Sequence, residues 1–410
     1  MSLEYLQAIG QTYKYLRLTQ KLSLRELADR LGVSHTLIAN IEKGGVQPSV
    51  SLLEKYEKYF QLTFTFDEDT FIYLYQILNE VFDGILFHNF SELVTQRKAL
   101  VSHKEVMIKA GLSFHWELAL FIIDAHDYQA VLEIRPKKVA ELEKLKDDLN
   151  PFIDLVFTIS IALYERYHFR LSRAKKRLEA MLEKYLNPHH KAIVKDRLSD
   201  LYYHTFNRSK AIKYASEAIQ TYQTFHNVNR AILLEIKMNL YGKRQHQSEV
   251  DLPYQGFIEQ AKIYKLNEVI HDISYVWALR IFRFNKYEEA RNILERLDLS
   301  YPPFYHYYVI ILFGSKDYDR LNHFLKTQPL KESSIEVFRP AIEYVKAALD
   351  NAADEVLEHH LIEYLNLAIK EELYGETRWA ETLFNDFYMK RRRYKDATLL
   401  KERLIKLILT

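Results

Sequence analysis

The chain has 410 residues, 48% of them hydrophobic, with 57 Lys and Arg against 55 Asp and Glu and no cysteine. That length and apolar content exclude a disordered chain and point to two or more domains. A net charge of +2 confines any nucleic-acid site to a local patch, and the absence of cysteine excludes disulfides, thiolate metal centres and cysteine nucleophiles.

Glycine and proline, the residues that interrupt helices, number only 10 and 9. With abundant Leu, Lys and Glu at periods near 3.6, this predicts an all-α chain. The first helix carries Ile9, Tyr13 and Leu16 on one face. Ser23 then stands as an N-cap with Glu26 three residues on, a capping box that starts helix two at Leu24. Leu24, Leu27, Ala28 and Leu31 form its inner side, and Ala28 is small where two helices cross. Gly32 supplies the positive φ of a tight turn. Ser34 caps helix three, with Leu37, Ile38 and Ile41 inward, and Gly44 and Gly45 stop it. Ser49 opens a fourth helix with Leu52, Leu53, Tyr56 and Phe60.

Two short helices joined by a glycine turn make a helix-turn-helix. Arg17, Leu22-Ser23, Glu26-Leu27-Ala28, Gly32-Val33-Ser34, Ile41-Glu42-Lys43-Gly44 and Pro48-Ser49 resemble the Cro/phage-repressor, or XRE, type. The resemblance implies that helix three enters the major groove of double-stranded DNA, with His35, Thr36, Asn40 and Lys43 toward the duplex and Ser34 at its start. Asn40 can pair with adenine, and Thr36 can touch a thymine methyl or a phosphate. Arg17 and Glu42 match a buried ion pair of that family, a structural role. Leu24 stands where the family often has glutamine, which removes one polar support of base contacts. Residues 1–65 carry eight Lys and Arg against six Asp and Glu, so 8 − 6 gives +2. So small a charge predicts weak binding by one copy and effective binding by two on a palindromic operator.

The expected domain division is a head at 1–64, a linker at 65–70 with Asp69 or Thr70 capping the next helix, and a helical repeat domain at 71–410. LSRAKKRLEAML at 171, RSKAIKYASEAI at 208, NKYEEARNILERL at 285 and RRYKDATLLKERL at 392 share one shape. Each has an alanine soon after a turn: Ala174, Ala211, Ala290 and Ala397. KDYDRLNHFL at 316 puts Leu321 in that place, and HDYQAVLEI at 126 reads as an earlier copy. The spacing resembles that of tetratricopeptide repeats (TPR), about 34 residues each. Small residues at such positions let antiparallel helices approach, and no unit buries its apolar stripe alone, so units stack into a right-handed superhelix with a concave face. The stretch 228–266 departs from the pattern, and QHQSEVDLP within it reads as a loop.

First helices of the better-aligned units would line that concave face. The inward positions are Asp196, Asp200, Tyr203 and His204, then Asp272, Tyr275, Phe282 and Arg283, with Asn239 in the unit between. Amides, aromatics and charges of this kind suit a short extended peptide. No cofactor is expected: there is no Gly-rich phosphate loop, no His-Glu-x-x-His and no Gly-x-Ser-x-Gly. The adjacent pairs His189-His190 and His359-His360 lack the i, i+4 spacing of a zinc helix and read as surface residues. The basic runs 173–177 and 390–393 read as solvated faces. The start of the chain lacks the basic, then apolar, pattern of a signal peptide. The longest apolar run, Tyr305 to Phe313, is shorter than the roughly 20 residues a bilayer requires. A cytoplasmic location without a membrane partner is expected.

An XRE-type head before a TPR array resembles the RNPP family of regulators (the Rgg, NprR, PlcR and PrgX types). The resemblance implies a homodimeric, non-enzymatic transcription regulator whose repeats bind a short signalling peptide, as in quorum sensing. Two alternatives use the same architecture: a protein-interaction scaffold of phosphorelay or antiactivator type with a secondary DNA-binding head, and a phage or plasmid immunity or conjugation regulator.

Overall fold

Serine caps divide the first sixty residues into four helices. In the computed structural model these are α1 (Leu3–Thr19), α2 (Leu24–Leu31), α3 (His35–Glu42) and α4 (Val50–Phe60). The structure describes residues 3–409 apart from 66, 87–89, 128–129, 185, 206, 226, 243–251, 264–269, 271–272, 275–276, 279–280, 283–285, 298, 300–301 and 329–337. The described residues are helical, with no strand among them. Ser23, Ser34 and Ser49 each accept a hydrogen bond from the backbone N–H three residues on, and Glu26 returns the bond to complete the capping box. Gly32 closes α2 at φ +65°.

The chain divides into two compact units, residues 1–164 and 165–410. In the first, the head continues into further helices. The helix after the head, α5, is Glu68–Leu86. Its start is capped by Asp67, which accepts from the Thr70 backbone at 3.1 Å, so the expected cap at Asp69 or Thr70 falls two or three residues too late. The helix needs a free acceptor just before its first turn, and Asp69 already lies inside it. The intervening stretch is pinned on both sides: Phe64 N–H donates to Glu57 at 2.6 Å, and Thr65 N–H to the Lys109 carbonyl at 2.7 Å. Helix α1 docks on this unit through Thr12, whose buried hydroxyl donates to the Gly111 carbonyl at 2.6 Å, and through the Lys14–Asp148 ion pair at 2.5 Å.

The stretch at 126 is not a repeat helix. Asp127 caps only a four-residue turn, Ala130–Glu133, and Pro136 then opens a new helix, Pro136–Glu143. A proline lacks the N–H that would have continued the earlier one.

In the second unit the alanine rule holds. Ala174, Ala211, Ala290 and Leu321 are fully buried, and Ala397 is 6% exposed. Pro188–His204 pairs with Arg208–Thr224, Pro302–Gly314 with Tyr318–Thr327, and Tyr374–Lys390 with Tyr394–Leu409. This is a TPR-like α-solenoid built from helical hairpins. Many of its turns use a residue with a side chain in the left-handed region: Lys316 (φ 61°), Asn351 (50°), Glu372 (59°) and Arg392 (56°). Stacking of the flanking helices holds these residues at a cost of about 1–2 kcal/mol each. Part of each basic run is paired: Arg177 with Glu165 at 2.9 Å, Arg393 with Glu358 at 2.7 Å, and Arg391 with Asp354.

His306 lies fully buried in Pro302–Gly314, its ring stacked on Phe338 at 4.0 Å, with Tyr364 and Trp379 around it. Neither ring nitrogen has a hydrogen-bond partner among the described residues. Burial pushes its pKa well below the usual value. The folded chain therefore keeps the ring neutral, while the unfolded chain takes up a proton as pH falls through about 6.5. Its contribution is complete above that pH and is lost below it, by up to about 1.4 kcal/mol per pH unit. His306→Phe should flatten this dependence: urea midpoints at pH 5 and pH 8 should differ less in the variant than in the unaltered chain.

Candidate nucleic-acid interface

The Arg17–Glu42 pair anchors α3. Arg17 Nε and Nη2 donate to the two Glu42 carboxylate oxygens at 2.6 and 2.7 Å, and Nη1 donates to the Leu22 carbonyl at 2.8 Å. Both side chains are buried, at 6% and 5% exposure, so each charge depends on the other. The pair joins α1 to the last residue of α3 and to the connection before α2. Beside it α1 and α3 touch backbone to backbone. A Cβ on Gly10 would come within 2.4 Å of the Ile41 carbonyl oxygen, and one on Gly44, at φ +70°, within 2.7 Å of Gln7 Cα. On the other side Tyr13 and Tyr56 stack at 4.2 Å, with Phe64 edge-on to Tyr13 at 5.4 Å. Burial, with the Glu42 charge added, pushes the Tyr56 phenol far above its usual range and keeps it neutral.

Held this way, α3 buries Ile38 and Ile41 and turns the opposite face outward. His35, Thr36, Asn40 and Lys43 are all exposed, and so is Ser34. These are the five positions predicted to face DNA, and they form one surface. None of the four side chains at 35, 36, 40 and 43 is engaged by a hydrogen bond or ion pair to a described residue. Ser34 differs: its hydroxyl accepts from the Leu37 N–H at 3.2 Å, so it positions the helix start. Lys55 is engaged nearby, donating to the Leu31 carbonyl at 2.8 Å and satisfying an open end of α2.

The residues expected on the concave face are placed less uniformly. Asp196 is 2% exposed and accepts from Arg230 at 2.5 Å and from the Tyr222 hydroxyl at 3.0 Å. It does not line an open groove, because a buried guanidinium requires its charge. Asp200 is also engaged, with Arg166 at 2.7 Å, Lys237 at 3.5 Å and His204 at 3.9 Å. Burial acts to raise its carboxyl, but the charges of Arg166 and Lys237 outweigh that and hold it well below the usual carboxylate range. Tyr203 and His204 are half-buried neighbours, with ring centroids 5.8 Å apart. Phe282 is half-buried against Tyr287 at 5.7 Å. Asn239 lies in Val228–Gly242, its side chain outside the described residues, as are Asp272, Tyr275 and Arg283. Sequence reasoning missed Arg166, Arg230 and Lys237. They come from separate stretches of the chain, and no local spacing links them to Asp196 or Asp200.

The helix-turn-helix family HTH_3 matches residues 14–66. An uncharacterized HTH-type transcriptional regulator of Methanocaldococcus jannaschii is 43% identical over 60 residues, which is 15% of this chain and 86% of that protein. The chain belongs to the HTH-type transcriptional regulators. Membership of this family makes it a regulator of transcription and not an enzyme. The crystal structure of a Rap protein complexed with competence and sporulation factor matches with a TM-score of 0.59 at 15% identity, over 83% of this chain and 98% of that one. The likeness is one of fold: a TPR-like solenoid. Bacillus thuringiensis PlcR, in complex with the peptide PapR7 and DNA, aligns at a TM-score of 0.36 and 14% identity, over 65% of this chain and 99% of that one. The HTH head and the Rap-like fold together make up the architecture on which the sequence resembles the RNPP regulators. No helix among the described residues is long and apolar enough to cross a membrane.

Removing one member of the buried pair should cost this regulator's head heavily. Arg17→Ala should lose about 3–5 kcal/mol of stability, because Glu42 is left charged and unpaired. Replacing both residues by apolar ones should cost much less. Urea denaturation of the single and double variants checks this.

Proposed function

We propose that the regulator binds a palindromic operator as a homodimer, inserting α3 of each copy into the major groove. Asn40 and Thr36 read base edges there, Lys43 and His35 contact the backbone, and Ser34 sets the helix start. One observation carries this reading: α3 is fixed to the rest of the head by a buried ion pair and a backbone contact, yet its opposite face carries four polar side chains with no partner among the described residues. A rigid helix with unspent hydrogen-bonding groups suits groove reading. Asn40→Ala should weaken binding to a selected operator by about 1–3 kcal/mol and relax its sequence preference. Lys43→Ala should weaken all duplexes alike and lower the slope of log affinity against log salt by about 1. Fluorescence anisotropy at several salt concentrations measures both. Equal loss of specific and non-specific binding in Asn40→Ala would count against base reading.

A short signalling peptide bound by the repeats controls this DNA binding in the cytoplasm. The Rap-like fold supports this, because the protein with that fold was solved in complex with competence and sporulation factor. Tyr203, His204 and Phe282 remain the described candidates for side-chain contacts. Control requires that the peptide prefer one arrangement of the solenoid, and a coupling of about 1–3 kcal/mol changes DNA affinity roughly 5–150-fold. Calorimetry with short synthetic peptides, taken from small secreted open reading frames beside the gene, should find one that binds and shifts operator affinity by that much. A set in which none binds would reject peptide control and leave DNA reading intact.

A further inference from the structure

Along Asp354–Lys370 two of the carboxylates toward the N-terminal end are committed. Asp354 pairs with Arg391, and Glu358 accepts from Arg393 at 2.7 Å and from the Tyr388 hydroxyl at 2.7 Å. One turn on, the pattern changes. His359, His360 and Glu363 bring their potential ligand atoms within 4.8 Å of one another. The two imidazoles lie 5.6 Å apart at 57°. None of the three side chains makes a hydrogen bond or ion pair to a described residue. His359 and Glu363 are exposed, and His360 is half-buried with its Nδ1 sealed from solvent and unpartnered. Two histidines in sequence do not by themselves make a metal helix. The third group, Glu363, lies at i+4 from one and i+3 from the other, so helical geometry gathers all three.

We propose that His359, His360 and Glu363 form a binding site for a first-row divalent transition ion, with Zn²⁺ as its natural representative. Two neutral imidazoles and one carboxylate are the donor set that such ions select, whereas Ca²⁺ and Mg²⁺ prefer oxygen alone. Bonds of about 2.1 Å place tetrahedral ligand atoms roughly 3.4 Å apart, so closure asks these side chains to draw in by no more than about 1.4 Å. A bound ion supplies the partner that the three groups lack among the described residues, and it clamps one turn of the helix. Three protein ligands leave the remaining positions to water, so the ion exchanges readily.

The whole chain, stripped with chelator, gives a clean test, since it holds no cysteine to compete. Titration with Co²⁺, followed by visible absorption, and with Zn²⁺, followed by calorimetry, should show one ion per chain at pH 7.5. His359→Ala and Glu363→Ala should each weaken it about tenfold or more. The control pair His189→Ala with His190→Ala should leave it unchanged. Hydrogen exchange within residues 354–370 should slow on loading in the unaltered chain and not in Glu363→Ala. No saturable binding up to 1 mM, or binding equally strong in the His359→Ala/Glu363→Ala double variant, overturns the proposal.

Discussion

The first compact unit is organised around a charge that cannot be left alone. Arg17 and Glu42 are both buried, and their two parallel hydrogen bonds fix where α3 ends relative to α1. Because the guanidinium also holds the Leu22 carbonyl, the same side chain sets the entry to α2. Gly10 then allows α1 to meet the end of α3 without an intervening side chain. A fork of hydrogen bonds gives direction that apolar packing does not, and a recognition helix requires direction. The outward set of His35, Thr36, Asn40 and Lys43 results from that orientation.

The head is also tied to the helices after it. Thr12, Lys14 and Thr65 bond to Gly111, Asp148 and Lys109, all within the first compact unit. The head is thereby bonded into the first compact unit, with the outer face of α3 left at the surface. In the second unit, buried alanines set the close helix crossings, and an ionic cluster of Arg166, Asp196, Asp200, Arg230 and Lys237 links its helices.

Local chemistry was legible in the sequence and long-range pairing was not. Capping serines, the capping box at Ser23 and the turn at Gly32 act over three or four residues, and each stands where the spacing put it. The alanines at 174, 211 and 290 were legible because a close crossing favours a small side chain, although Leu321 fills the same place in one unit. The left-handed turns at Lys316, Asn351, Glu372 and Arg392 carry no glycine to announce them; tertiary stacking imposes them against local preference. Asp196 has the helix position of a groove carboxylate. Its burial depends on Arg230, 34 residues on, which no periodicity reveals. Glu363 is hidden for a related reason: adjacent histidines carry no metal spacing of their own, and only the folded helix shows the carboxylate one turn away completing the set.

The central claim is that α3 meets bases while the other helices of the head do not. Site-specific photo-crosslinking tests this directly. A benzophenone amino acid placed singly at positions 36, 40 and, as a control, 54 on α4 is irradiated with a selected duplex. The account predicts crosslinks to bases from 36 and 40, mapped to the major groove of each half-site, and none from 54. Crosslinks from 54 with none from 36 or 40 would show that another face of the head meets DNA.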